Sequence, residues 1–273
     1  MSGPYSVNCS ILLTDLPLLD RPAAAAAAGF DGVEFWWPFA SATPDAAEVG
    51  AFVAAIEAAG VRLTGLNFVA GDMPAGDRGL ASWPARSAEL RANLDVVTAI
   101  GERTGCRAFN ALYGNRVAGA DPAAQDALGA ENLALAARAV ARIGGTVLLE
   151  PVSGAPAYPL KTSADVVAVL DRVAEEHGAT NLGLLLDLYH LSVNGADVDA
   201  ALAAHRGRVA HVQIADAPGR GAPGSGELPL SRWISDLRAG GFDEPVGLEY
   251  KTADADPFAW LPREERGAQP ALR

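Results

Sequence analysis

The sequence predicts an α/β protein folded as a single (β/α)8 barrel. Three observations carry that expectation: eight short apolar runs alternate with longer, alanine-rich helical patterns, helix start and stop residues mark the joins, and no linker-like composition divides the chain. Alternating strands and helices imply parallel strands covered by helices and joined by right-handed crossovers. Eight such units in about 250 residues suit closure into a barrel. A doubly wound open sheet is the rival arrangement.

The strand candidates, in order, are "YSVNCSILL" (5–13), "GVEFW" (32–36), "VRLTGLNFV" (61–69), "RAFNALY" (107–113), "TVLLEP" (146–151), "LGLLLDL" (182–188), "VAHVQIA" (209–215) and "VGLEY" (246–250). Helical patterns lie near 18–28, 45–59, 85–104, 122–143, 162–177, 197–205 and 229–239. Asp45 follows Pro44, Asp121 precedes Pro122, and Thr162 and Ser163 precede Asp165, all residue types that start helices. Gly60, Gly105, Gly178 and Gly240 follow the helical runs, where a left-handed cap is wanted. The run "DRPAAAAAAGF" is low in complexity, but alanine is the best helix former, so it reads as the first helix. The barrel is expected over 1–251, and 252–273, rich in proline and charge, as a C-terminal tail.

Half of the 273 residues are apolar, ample for a large core. A formal charge of −12 with no basic stripe argues against nucleic acid as a partner. No 18-residue apolar run is present to span a membrane. The start lacks the basic flank and apolar stretch of a signal peptide. Cys9 and Cys106 form no CxxC pair and sit in apolar runs, so they read as reduced core thiols of a cytoplasmic protein. Oligomeric state has no signature here, although barrels of this kind often form homo-oligomers.

In a barrel, chemistry belongs at the C-terminal ends of the strands. Glu34, Asn67, Asn110, Glu150, Asp187, Gln213 and Glu249 all interrupt apolar runs at that level. A single buried acid usually pairs with Arg or Lys, or caps a helix. Three carboxylates and an amide from four consecutive strands are harder to neutralise that way, since converging acids repel and shift one another's pKa. Arg220 and Lys251 are too few for them; a dication serves directly. Glu150, Asp187, Gln213 and Glu249 offer only oxygen ligands, which favours Mg2+ or Mn2+ over Zn2+. Such an ion would leave two positions for neighbouring oxygens of a substrate.

His190, three residues after Asp187, is expected in the following loop, touching substrate or supporting a ligand. His211 reads as a hydrogen-bonded structural group. "GRGAPG" (219–224) matches a dinucleotide fingerprint formally, yet contains Pro223 and leads into "GSGELP" instead of a helix. It fits a glycine-rich loop over the barrel mouth, with Arg220 facing a substrate anion and Glu227 as a candidate anchor. "FVAGDMPAGDRGLASWP" (68–84) is a long loop that suits a lid, with Met73 and Trp83 as cover. Trp36 and Trp37 suit either a pocket wall or packing.

Taken together, "GFDGVEFWWPF", "AGDMPAGDRGLASWPAR", "LLLDLYH", "HVQIADAPGRGAPGSGE" and "GLEYK" resemble the hydroxypyruvate isomerase family of the xylose isomerase-like TIM barrels. The similarity runs from about residue 5 to 251. The resemblance implies an isomerase that moves a carbonyl between adjacent carbons of a small hydroxy-keto acid through an enediolate. Hydroxypyruvate and 2-oxo-tetronate are the implied substrates. It implies the same four metal ligands, with Glu150 and Glu249 as the catalytic pair. Arg220 and Lys251 become candidates for the substrate carboxylate, His190 for a hydroxyl, and Asn67 and Asn110 for further substrate contacts. Two segments depart from the family pattern: "VSGAPAYP" (152–159) after strand 5, and Leu66 before Asn67. Both bear on substrate identity more than on reaction type. A ketose 3-epimerase with the same site, and a non-catalytic sugar-acid-binding barrel, are the alternatives.

Overall fold

A computed structural model describes residues 4–267. Eight parallel strands close in sequence order into a barrel: β1 (Tyr5–Asn8), β2 (Gly32–Phe35), β3 (Arg62–Asn67), β4 (Ala108–Asn110), β5 (Thr146–Leu149), β6 (Leu182–Asp187), β7 (Val209–Ile214) and β8 (Val246–Leu248). The helices are α1 (Arg21–Ala27), α2 (Ala46–Ala59), α3 (Ser87–Thr104), α4 (Pro122–Ala141), α5 (Ser163–His177), α6 (Leu188–Val193), α7 (Val198–His205) and α8 (Leu230–Ala239). The open-sheet alternative is excluded, because β1 pairs with both β2 and β8.

The starts follow their local chemistry. Asp45 and Thr162 form capping boxes with Glu48 and Asp165, and the Asp121 side chain accepts from the Ala123 amide. Gly60, Gly105 and Gly178 take the left-handed conformation at their helix ends. Gly240 does not; its φ is −81°, and Gly241, at φ 93°, makes the left-handed turn after α8.

Several strands are shorter than their apolar runs. Phe68, Val69 and Ala70 beyond β3, and Ala111, Leu112 and Tyr113 beyond β4, are buried, with the Phe68 and Ala111 amides still donating to the Asn110 and Leu148 carbonyls of the neighbouring strands. Those residues are apolar because they cover the barrel rim. Helix α6 has no counterpart in the periodicity, for six residues are too few to show a 3.6-residue repeat. Its start is nevertheless written in Asp187, whose side chain accepts from the His190 amide. His190 therefore sits in a helix and not in a loop.

The main core lies between barrel and helices. On α2, Val49, Phe52, Val53 and Ile56 share the buried face, and Phe52 meets Phe35 of β2 edge-on at 5.1 Å. Burial of each such side chain stabilises by about 1.5–3 kcal/mol. Truncating Phe52 to alanine would cost about 3–5 kcal/mol through lost transfer energy and the cavity left behind.

The described part of the tail, 252–267, packs back on the start of the barrel. Phe258 lies 4.7 Å from Phe30, and the Arg266 guanidinium stacks near both rings while donating to the Ala28, Leu261 and Phe258 carbonyls. The Tyr5 amide donates to the Arg266 carbonyl at 3.2 Å. The remainder of the expected tail, 268–273, lies outside the described residues. Among the described residues no helix is long and apolar enough to cross a membrane.

Candidate active site

Strand ends deliver the polar residues to one mouth. Asn67 and Asn110 end β3 and β4 in register with one another, and Asp187 ends β6 opposite Gln213 on β7. Glu150 and Glu249 stand one residue beyond β5 and β8. A cavity of about 620 Å3 opens there, and its lining includes Asn67, Glu150, His190, Arg220, Glu249 and Lys251.

Each acid is held by a specific donor. Asn110 Nδ2 donates to Glu150 Oε1 at 2.7 Å. Asn8 Nδ2 donates to Glu249 Oε2 at 3.1 Å, while Arg220 Nη2 pairs with Glu249 Oε1. Asn8 is a site residue that the sequence reading missed. It lies at the end of β1, but an apolar run drawn on to residue 13 hid the place where the strand stops.

Burial pushes the Glu150 carboxyl up to about 8; the Asp187 charge adds to this, and the Asn110 hydrogen bond opposes it. Burial also raises Glu249 well above the carboxylate range, against the pull of Arg220. The direction matches simple electrostatics. Two like charges about 5 Å apart repel by roughly 3 kcal/mol at an effective dielectric near 20, about two pK units. Burial works against the charge on Arg220, yet Glu249, Asp187 and Glu150 together hold its pKa above the ordinary value.

Arg220 reaches Glu249 from a residue with φ 58°, a left-handed conformation that costs a side-chain-bearing residue on the order of 1 kcal/mol or more. Its Nε also donates to the Glu249 carbonyl at 3.1 Å. The glycine-rich loop is anchored by Asp216, not by the expected Glu227. Asp216 Oδ1 accepts from the Ala217 and Leu228 amides, and Oδ2 from the Gly224 amide. The long loop after β3 is likewise fastened, by a bridge between Gly79 and Tyr113. Met73 lines the cavity, whereas Trp83 stacks with Arg86.

Ligand atoms of Glu150, Asp187 and His190 all lie within 4.8 Å of one another. The histidine is nevertheless poorly suited to ligate. Its Nδ1 accepts from the Ser153 amide at 3.1 Å, and an amide N–H can only donate, so the ring proton sits on Nε2. Burial lowers the His190 pKa to about 4, against the pull of Asp187. His190 is thus a neutral ring whose donor, Nε2–H, lies 3.7 Å from Asp187 Oδ2.

Gln213 supplies the complementary feature. Its Nε2 donates to Glu34 Oε1 at 3.2 Å, and its Oε1 is buried with no hydrogen-bond partner. An orphaned carbonyl oxygen beside converging carboxylates is what an oxygen-seeking dication requires. Glu150, Asp187, Gln213 and Glu249 offer only oxygen, the donor chemistry a hard divalent cation takes, although the group within 4.8 Å of one another is Glu150, Asp187 and His190, without Glu249.

Glu34 also meets His211 Nε2 at 2.7 Å, in the structural role expected for that histidine. The pair needs two glycines beside it. A Cβ on Gly247 would collide with Glu34 Oε1, and one on Gly65 would press on Oε2 at 3.0 Å.

The model of the xylose isomerase-like TIM barrel family matches residues 22–272. A protein of Streptomyces coelicolor, provisionally named hydroxypyruvate isomerase, is 53% identical over 272 residues, 97% of this chain and 98% of its own. The 2-oxo-tetronate isomerase of Cupriavidus necator is 35% identical over 249 residues, 90% of this chain and 92% of its own. A solved structure from Brucella melitensis, described as an AP endonuclease of family 2, superposes with a TM-score of 0.85 at 31% identity, covering 95% of this chain and 98% of that one. The chain thus belongs to the xylose isomerase-like TIM barrel family and, like its hydroxypyruvate and 2-oxo-tetronate isomerase relatives, is an isomerase.

Proposed function

We propose that the protein interconverts hydroxypyruvate and tartronate semialdehyde, or the corresponding 2-oxo-tetronate pair, by moving a carbonyl between adjacent carbons. The carrying observation is that Glu150 and Glu249, both with raised pKa, face one cavity from the ends of β5 and β8. A carboxylate that faces the reacting carbons can accept a carbon-bound proton and, once protonated, return it.

Glu150, Asp187, Gln213 and Glu249 would hold a Mg2+ or Mn2+ ion. Bound there, the ion stabilises negative charge building on the carbonyl and hydroxyl oxygens of the substrate. One glutamate takes the proton from the hydroxyl-bearing carbon, leaving an enediolate, and a proton is then delivered to the neighbouring carbon. The hydroxyl proton passes from the first oxygen to the second, so atoms and charge balance. Proton transfer by positioned side chains contributes about 10²–10⁴-fold.

Around the reacting carbons, Asn67 and Asn110 supply amides, and Asn110 also orients Glu150. His190 Nε2–H positions a substrate hydroxyl. Arg220 and Lys251 bring positive charge to the mouth, and Arg220 restrains Glu249. A small sugar acid is the partner that this pocket suits. The buried, unpaired thiols of Cys9 and Cys106 support a cytoplasmic setting.

The test is isomerisation of hydroxypyruvate in deuterated solvent, with and without Mn2+, followed by proton NMR. Wild type is expected to form tartronate semialdehyde with deuterium on carbon, and Glu249→Gln to lose about 10²-fold or more of turnover. Near-normal turnover by that variant would overturn the catalytic role.

A further inference from the structure

We infer that Arg78, in the loop after β3, reads the carboxylate of the substrate and thereby selects hydroxy-keto acids over neutral hydroxy-ketones. This rests on the reading of the cavity as the substrate site, and adds to it the group that recognises the anionic end.

A substrate carboxylate entering this mouth meets Glu150, Asp187 and Glu249, so it needs a cation not already spent on them. Arg220 is spent, with its side chain on the Glu249 carboxylate and its Nε on the Glu249 carbonyl. Lys251 is exposed at the rim and offers a flexible point charge. Arg78 differs from both. It lines the same cavity as Glu150, His190 and Glu249. Its hydrogen bonds to the described residues run from Nη1, to the Met73 carbonyl at 2.9 Å and the Asp77 carbonyl at 2.6 Å. Among the described residues no carboxylate forms an ion pair with it, and its Nε and Nη2 are left to bond elsewhere. Those two donors form one edge of the guanidinium fork, which matches a carboxylate bidentately.

The loop presents that fork from a fixed platform. The Gly79 amide donates to the Ala70 carbonyl at 2.9 Å, and the Ser82 amide to the Tyr113 carbonyl at 2.7 Å. Gly79 has φ 100°, and a Cβ there would strike the Leu112 carbonyl, so the chain passes β4's exit at backbone contact. On the other side of Arg78, Asp77 accepts from the Asp72 amide at 2.7 Å and from Arg86 Nη1 at 2.8 Å. Asn115 Nδ2 holds the Gly76 carbonyl at 2.9 Å. Arg78 and His190 line the same cavity. A fixed arginine beside a hydroxyl-positioning donor is a site for a 2-hydroxy or 2-keto acid.

A loop staple would make the same two carbonyl contacts, so the test must read ligand charge. Binding of glycerate and of its neutral amide, glyceramide, is to be measured by calorimetry on the Mn2+-loaded full chain. Wild type is expected to prefer glycerate. Arg78→Met should lose that preference by about 10- to 100-fold while binding glyceramide as before, and Arg78→Lys should keep part of it. A preference unchanged in Arg78→Met overturns the assignment. Should that variant fail to fold, phenylglyoxal labelling of the wild type decides: glycerate should protect Arg78, and equal labelling with and without it refutes the role. Failure of the proposed isomerisation would appear separately, as wild type that prefers glycerate yet leaves hydroxypyruvate unchanged.

Discussion

Gln213 and Glu34 are joined by one hydrogen bond that sets which end of the amide faces the mouth. Nε2 of Gln213 donates to Glu34 Oε1 at 3.2 Å, and His211 occupies the other glutamate oxygen at 2.7 Å. A carboxylate accepts only, so the NH2 group must turn towards it and the carbonyl oxygen must turn away.

Replacing Glu34 by glutamine removes that constraint, because a glutamine can donate as well as accept. Mn2+ affinity, measured by calorimetry, should fall roughly 10- to 100-fold, the usual cost of losing a group that orients a metal ligand. Unchanged affinity would show that Gln213 needs no such partner.

Metal-free protein should be sensitive to pH through Glu150. Its pKa rises from 4.5 to about 8 on folding, so the folded state holds a proton that the unfolded state gives up. That contribution is complete below pH 4.5 and is lost as pH rises through about 8. Melting temperatures of wild type should therefore fall relative to Glu150→Gln across this window, and saturating Mn2+ should remove the difference. Parallel curves without metal would contradict the raised pKa.

His190 should remain neutral well below ordinary histidine titration, since its pKa is lowered to about 4. Nitrogen-15 spectra of the ring should show the Nε2–H tautomer from pH 8 down to about 5. An Nδ1–H signal would reverse the donor role given to Nε2, because the Ser153 amide could no longer be accepted there.

The thiols offer a simple check on the core. Burial pushes Cys106 up to about 12 and Cys9 higher still. Thiolate is the reactive form, so neither residue should react with Ellman's reagent at pH 8 in the native state. Both should react once guanidinium unfolds the chain. Rapid native labelling would mean that strand β1, which carries Cys9 just past its end, opens readily.

The sequence by itself determined the barrel and the mouth. Strand-end polarity, as in Asp187 and Gln213, is a one-dimensional pattern, because a strand buried on both faces tolerates such residues only where a ligand or partner meets them. Helix starts at Asp45, Asp121 and Thr162 were equally legible, since a cap acts within three residues of chain. What only the tertiary structure decided was pairing across the barrel. Asn8 on Glu249, Arg220 on Glu249 and His211 on Glu34 are separated by 241, 29 and 177 positions. Barrel closure brings the first and third pairs together, and the loop between the adjacent strands β7 and β8 the second. Arg78 was hidden for a related reason: in the sequence it is one charge in a polar loop, and only the folding of Gly79 against the exit of β4 turns it towards the cavity.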